Sequence, residues 1–272
     1  MTGTMPAEIR DRYEFAPIGL LHTGLRWRYE APRQAGFSEA KARIELYPGR
    51  GFEQALEDLA GFERIWVVFI FHLNATWKPK VTPPYAPENR KYGVFSTRSP
   101  HRPNPVGLSC VELEGIDGLN VYLNHCDILD RTPILDIKPY IPAVDAFPES
   151  KAGWRDELVL SEWKHVFSPA ARAQMDWIKV QTGLDLANFC AVQLKYEPFN
   201  PARKRIDRLP DGSWAIHCRT WRIVYRADAD AHVLNFEYVS SNYMPDELAP
   251  GAPDPYTDKA FHRAFLEVAS WK

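Results

Sequence analysis

The chain is poor in the residues that announce the commonest chemistries. Its four cysteines, Cys110, Cys126, Cys190 and Cys218, are scattered and form no C-x-x-C pair, so their spacing does not suggest a metal site. They read as buried reduced thiols, and a chain of 272 residues needs no disulfide framework to fold. The longest apolar run, Ile65–Phe71, is far short of the roughly 20 residues that cross a bilayer. The first residues, MTGTMPAEIRDRYEF, lack a basic-then-apolar leader pattern, and the expectation is a cytoplasmic protein with no membrane partner. A net charge of −2 leaves no bulk field of the kind that marks many nucleic-acid binders. There is no G-x-G-x-x-G after a strand, no phosphate-binding P-loop, no G-x-S-x-G elbow and no H-E-x-x-H. A Rossmann cofactor site is thereby disfavoured.

What is present is ordinary globular material, 45% hydrophobic and 25% charged. Tyr13–Leu25 reads as a strand followed by a turn, and strand signals appear at Ala42–Tyr47, Ile65–His72, Gly93–Phe95, Gly107–Leu113, Val121–His125 and Ile134–Ile137. The β-branched and aromatic run Ile65–His72 reads as a strand buried on both faces. Phe52–Leu59 reads as a short helix stopped by Gly61. Residues 10–145 are therefore expected to be antiparallel β, a sandwich or a barrel. Pro142–Asp156 reads as a linker.

Beyond it the pattern changes. Ser168-Pro169 is a helix start, with Ala173, Trp177, Ile178 and Val180 expected on the apolar face and Gly183 as the stop. A second helix is expected over Leu186–Leu194, a hairpin over Trp214–Arg226 and Val233–Ser240, and a last helix over Asp258–Val268 with Phe261, Phe265 and Val268 on one side. The fold class is thus mainly β, with a small α+β C-terminal domain over 155–240 and a C-terminal extension over 241–272.

Three segments stand out chemically. Thr97–Ser109 holds Pro100, Pro103 and Pro105, which fix φ and remove three backbone donors. It is a rigid loop that displays Arg98, His101, Arg102 and Asn104, and guanidinium groups there suit carboxylate or phosphate recognition. Asn124–Tyr140 carries Asp127, Asp130 and Asp136 among apolar residues; the first two either shape a turn or accept bonds from a ligand. Ala31–Gly36 ends on a glycine that admits close backbone approach. Arg203, Lys204, Arg205 and Arg208 form the densest basic cluster, either a solvated turn or an RNA contact.

Taken together, these segments resemble the TrmO (TsaA-like, YaeB) tRNA methyltransferase family. The resemblance runs through Pro32-Arg-Gln34 with Gly36, Trp66–His72, Gly93-Val-Phe95 with Thr97-Arg98, Arg102-Pro-Asn-Pro105 with Gly107 and Ser109, Asp127-x-x-Asp130-x-Thr-Pro133 and Asp136-Ile-Lys-Pro-Tyr140. It implies a non-Rossmann β-barrel over 10–145 that binds S-adenosylmethionine, and a homodimer. It implies methylation of N6 on threonylcarbamoyl-adenosine beside the anticodon of threonine tRNA. By position, Gln34, Ala35, Gly36, Leu73, Asn74, Arg98, Leu108, His125, Cys126 and Asp127 would line the cofactor. Asp127 or Asp130 would accept the proton, and Arg203, Lys204, Arg205 and Arg208 would hold RNA. The chain departs from the family at Arg131, where a glycine is usual; a side chain there changes the turn or adds a phosphate contact. The rival readings are a methyltransferase for another substrate and a non-catalytic barrel that binds S-adenosylmethionine or nucleic acid.

Overall fold

The computed structural model describes residues 12–28, 31–32, 35, 40–201, 205–268 and 271. Its first half contains strands β1 (Gly19–Thr23), β2 (Ala42–Leu46), β3 (Arg64–Ile70), β4 (Lys80–Val81), β5 (Tyr92–Gly93), β6 (Val106–Asp117), β7 (Asn120–Asn124) and β8 (Pro133–Pro139), with short helices α1 (Phe52–Ala55) and α2 (Pro142–Asp145). Six strands close a barrel in the order β1-β2-β7-β6-β3-β8. Every pair in the ring is antiparallel, and β8 returns to β1 with Gly19 opposite Ile134.

Period-two patterning explains the closure. Leu21, Ile44, Ile65, Val67, Val111, Val121, Leu123 and Ile134 point inward and are fully buried, so side chains fill the interior. The strand expected to be buried on both faces is not: Ile65, Val67 and Phe69 are buried, while Trp66, Val68 and Ile70 are only half-covered. A closed barrel has one interior, and the outer face takes what the surface supplies. Here Trp66 meets the edge of Tyr140 at 5.7 Å between ring centroids and donates its indole N–H to Asp145 Oδ2 at 3.3 Å.

Other expectations shorten or shift. The first strand begins at Gly19 rather than Tyr13, and the first helix stops at Ala55 before a 3₁₀ turn at Leu59–Gly61. Gly93–Phe95 is mostly a 3₁₀ turn, Val94–Ser96, because β5 ends at Gly93. The linker at 142–156 includes α2 and a 3₁₀ turn at Gly153–Arg155.

The barrel's polarity matters most for function. β1, β3 and β7 finish at the same end where β2, β6 and β8 begin, as their antiparallel registers require. The connections 24–41, 71–105 and 125–132 therefore all emerge at that end, whereas β6 and β7 are joined at the other by the tight Gly118 turn.

The second half contains β9 (Lys164–Phe167), α3 (Pro169–Thr182), α4 (Leu186–Leu194), β10 (Ile206–Arg208), β11 (Trp214–Cys218), β12 (Trp221–Asp228), β13 (Val233–Ser241) and α5 (Lys259–Glu267). The strands form a five-stranded sheet in the order β10-β11-β12-β13-β9, with β9 parallel to β13. The expected hairpin is split by a turn at Arg219-Thr220, so its first arm is two strands.

Helix α3 starts and stops as its caps dictate. Ser168 Oγ accepts the Ala171 N–H at 3.0 Å, and Gly183 closes the helix at φ 74°. Its buried face is Ala171, Gln174, Met175 and Ile178, whereas the expected Ala173 and Val180 are exposed. Gln174 replaces an apolar residue there because its side-chain oxygen accepts the Val239 N–H at 2.6 Å. Helix α5 likewise buries Lys259, His262 and Phe265, with Phe261 only half-buried. The segment read as an extension thus contributes Phe265 to the second core, with Trp271 packed against it. That core and the barrel interior are separate clusters. Arg219 nevertheless sits over the ring of Trp27 at 4.8 Å, and Tyr85 meets Tyr196 edge-on at 5.2 Å, joining the halves.

Candidate active site

The three connections at the open end of the barrel meet at Asp127. After β7, His125 takes a left-handed conformation (φ 54°) and turns the chain inward. The Cys126 N–H then donates to Ala40 O at 2.9 Å and pins this connection to the one preceding β2. The Cys126 side chain is fully buried and contacts the Ile128 backbone, and burial pushes its thiol up to about 12. It is a structural anchor with no free sulfur chemistry.

That anchor fixes Asp127. Its carboxylate accepts hydrogen bonds from the Ser109 hydroxyl and the Ala35 backbone N–H, and it feels the charge of Arg98. Burial raises its pKa above the usual carboxylate range, and these partners oppose the rise without cancelling it. Its Oδ1 is shielded from solvent and has no hydrogen-bond partner among the described residues. A buried orphan acceptor is costly in a folded protein and marks a place where a ligand donor fits.

Asp130 is placed differently. Its Oδ1 accepts the Thr23 N–H at 3.1 Å, and its own N–H donates to Leu25 O at 2.8 Å. It locks this connection to the end of β1. The next residue, Arg131, is left-handed (φ 58°), and its N–H donates to Leu21 O at 2.7 Å. Thr132 is buried, with its hydroxyl 3.4 Å from His72 Nδ1. The pKa of His72 is lowered, chiefly by desolvation, with the positive charge of Arg28 adding to the effect.

The proline-rich loop is braced from within. The Arg102 guanidinium donates to Thr97 O at 2.8 Å and Val94 O at 3.3 Å and lies over the Phe95 ring at 5.7 Å. Pro105 O accepts the Phe71 N–H at 2.7 Å, which ties the loop's far end to the end of β3. The His101 ring has its Nδ1 buried with no partner among the described residues, and its carbonyl accepts the Lys78 N–H at 3.2 Å. Held in this way, the loop leaves Arg98 exposed at its start.

Of the residues singled out from sequence, the structure brings Ala35 against Asp127 and sets Arg98 near enough for its charge to act on that carboxylate. Leu73, Asn74, Leu108, His125 and Cys126 lie at the same barrel end, Leu73 and Leu108 as exposed apolar side chains. His125 reaches Glu112 at 3.7 Å, and the Cys126 side chain is interior. Gln34 and Gly36 lie outside the described residues, as do Arg203 and Lys204. Arg205 precedes the edge strand β10 and Arg208 ends it, lying over the Trp214 ring at 5.7 Å. No group of three potential metal ligands occurs among the described residues.

Sequence reasoning missed Ser109 as the partner of Asp127. The signal was available: on β6, Gly107, Ser109 and Val111 alternate onto the buried face, and a serine there needs a polar partner.

Comparison with known proteins places this geometry. Residues 20–146 match the family described as the tRNA-methyltransferase O N-terminal domain. The chain is 32% identical over 170 residues to the tRNA (adenine(37)-N6)-methyltransferase of Escherichia coli (strain K12), covering 60% of this chain and 72% of that one. It is 37% identical over 146 residues to a probable S-adenosyl-L-methionine-binding protein of Pyrococcus abyssi, covering 53% of this chain and 77% of that one. The crystal structure of TrmO from Pseudomonas aeruginosa superimposes with a TM-score of 0.59 at 26% identity, over 85% of this chain and 99% of that one.

Proposed function

The chain belongs to the TrmO family, and on that footing we propose that it transfers the methyl group of S-adenosylmethionine to N6 of adenine 37 in tRNA. The observation that carries the reading is the convergence of three barrel connections on Asp127, with one carboxylate oxygen buried and unpaired.

The donor set fits this cofactor. Asp127 Oδ1 is an acceptor suited to an ammonium or ribose hydroxyl, and the exposed Leu73 and Leu108 supply apolar surface at the same end. Ala35, Arg98 and Asp127 would hold it, with Gln34, Gly36, Asn74 and the backbone of His125 and Cys126 completing the cradle. The cofactor supplies an electrophilic methyl carbon on a sulfonium. The chain's share of the work is to orient the attacking nitrogen in line and to exclude water. Asp127 is the better proton acceptor of the two aspartates, because Asp130 is engaged with the backbone of β1. Its raised pKa makes it a stronger base than an ordinary carboxylate.

The finer assignments rest on the family. The substrate is threonylcarbamoyl-adenosine in threonine tRNA, and the protein acts as a cytoplasmic homodimer. The exposed apolar Phe95, Leu73 and Leu108 suit a subunit interface at this end of the barrel. The barrel over 10–145 is the catalytic domain, and the lobe over 155–240 with its tail is the RNA-binding part, through Arg203, Lys204, Arg205 and Arg208.

The test is transfer of tritium from methyl-labelled S-adenosylmethionine into bulk tRNA, followed by nucleoside mapping. Label in N6-methylated threonylcarbamoyl-adenosine is the expected result. Label in another nucleoside would correct the substrate, and cofactor binding with no transfer would leave a binding module.

A further inference from the structure

An exposed arginine with positive φ and no partner among the described residues stands at the rim of the site. Arg131 has φ 58°, a conformation in which a side chain crowds its own backbone and which glycine adopts freely. The turn itself does not call for an arginine: the Arg131 N–H bond to Leu21 O and the Asp130 bonds to Thr23 and Leu25 are made by backbone and by the aspartate. Its guanidinium makes no hydrogen bond and no ion pair with any described residue. Its neighbour Thr132 touches His72 at 3.4 Å, and Arg28 lies close enough to His72 to disfavour protonation of that ring. Arg28 is likewise exposed and pairs with no carboxylate among the described residues.

Two exposed guanidinium groups without a described counter-charge thus stand at the end of the barrel where the site opens, Arg28 acting on His72 and Arg131 next in the chain to the residue that touches it. Exposed positive charge with no counter-charge beside it raises the local potential and attracts an anion. We infer that Arg28 and Arg131 form a phosphate-binding rim, gripping the backbone of the RNA strand whose base enters the Asp127 site. This inference rests on the proposal that the substrate is RNA. It differs from the basic cluster near β10 in place and in task. The rim would hold the strand at the catalytic opening, whereas Arg205 and Arg208 of that cluster lie at the other lobe's sheet edge. Arginine suits the task because its planar fork meets phosphate oxygens bidentately.

The experiment measures binding of fluorescently labelled bulk tRNA by anisotropy at several salt concentrations, together with S-adenosylmethionine affinity and thermal stability. Arg131→Gly relieves the backbone and removes the charge. Its tRNA affinity should fall several-fold, and its salt slope should drop by about 0.7–0.9, the value of one lost phosphate contact. Its melting temperature should not fall, and its cofactor affinity should be unchanged. Arg131→Lys, which keeps the charge, should retain most of the affinity, and Arg28→Ala should repeat the loss. Unchanged tRNA affinity and salt slope in both Arg131→Gly and Arg28→Ala would overturn the rim, while wild-type tRNA binding would leave the proposed function standing. Loss of cofactor affinity in parallel would move these residues into the methyl-donor site and equally overturn it. A wild-type protein with no measurable affinity for tRNA would remove both readings at once.

Discussion

Ser109, on the inner face of β6, donates its hydroxyl to the carboxylate of Asp127 on the β7–β8 connection. That single bond couples the barrel wall to the group proposed to take the proton. It also opposes the effect of burial on Asp127, because a donor to the carboxylate favours its charged form. Ser109→Ala should therefore raise the Asp127 pKa further. The expected readout is a shift of the acid limb of the rate–pH profile toward higher pH, with the plateau rate affected less. An acid limb that stays in place would separate Asp127 from the rate-limiting proton transfer.

Asp127→Asn and Asp130→Asn should part company. The first should lower the single-turnover methyl-transfer rate by about 10²–10⁴-fold, the range for a lost general base. The second keeps an acceptor for the Thr23 N–H but turns a charged hydrogen bond into a neutral one, and should lower stability by about 1 kcal/mol or less with a smaller effect on rate. The sign of the Asp127 effect on stability is opposite. Its folded pKa is raised, so its contribution is fully present below the unfolded value of 3.8 and is lost as pH rises through the folded value. Asp127→Asn should thus be at least as stable as the parent at neutral pH. Chemical denaturation of both variants beside rapid-quench kinetics checks the contrast.

Gly107 is required by a ring. A Cβ placed there would lie 2.3 Å from Phe69 Cζ. Gly107→Ala should cost about 1–3 kcal/mol through overpacking. Pairing it with Phe69→Leu should recover part of that loss, because the clash is with a removable side chain. Urea denaturation of the single and double variants measures the coupling, and additive losses would contradict the contact.

The second core should be sensitive to acid. His262 is fully buried, stacked on Trp221 at 3.8 Å between centroids, and burial lowers its pKa to about 4 despite Asp258 and Asp254 nearby. His165 is lowered to about 4 for the same principal reason, with Glu162 opposing and Lys195 reinforcing the shift. A histidine depressed on folding contributes stability above its unfolded value of 6.5 and loses it as pH falls toward 4. Each group costs about 1.4 kcal/mol per pH unit at most in that window. Denaturant midpoints between pH 7 and 4 should fall steeply in the parent and less steeply in His165→Gln/His262→Gln. Equal slopes would remove these residues as the cause.

Local signals in the sequence carried well where local physics decides the outcome. Ser168-Pro169 and Gly183 bounded α3, and the apolar run Leu186–Leu194 is α4 as expected. β9 escaped because Lys164–Phe167 is a short edge strand whose identity comes from pairing with β13, nearly seventy residues later in the chain. Whether residues 10–145 made a sandwich or a barrel was equally illegible from patterning, since both alternate with period two. The closing contact between β1 and β8 decides it, and it is non-local. At the site, the segments with Ala35, Arg98 and Asp127 were readable as unusual loops. Their meeting was not, because it depends on which barrel end each loop leaves. Asp127 and Asp130 look alike in sequence and separate only when Thr23 is seen to occupy one of them.

The Gly19–Ile134 pairing also bears on how the molecule is made. A ribosome releases β1 long before β8 exists, so the nascent barrel must wait with a β1 edge unpaired and its apolar lining partly wetted. Sealing that seam late makes biosynthesis, rather than equilibrium stability, the point at which this fold is most exposed to aggregation.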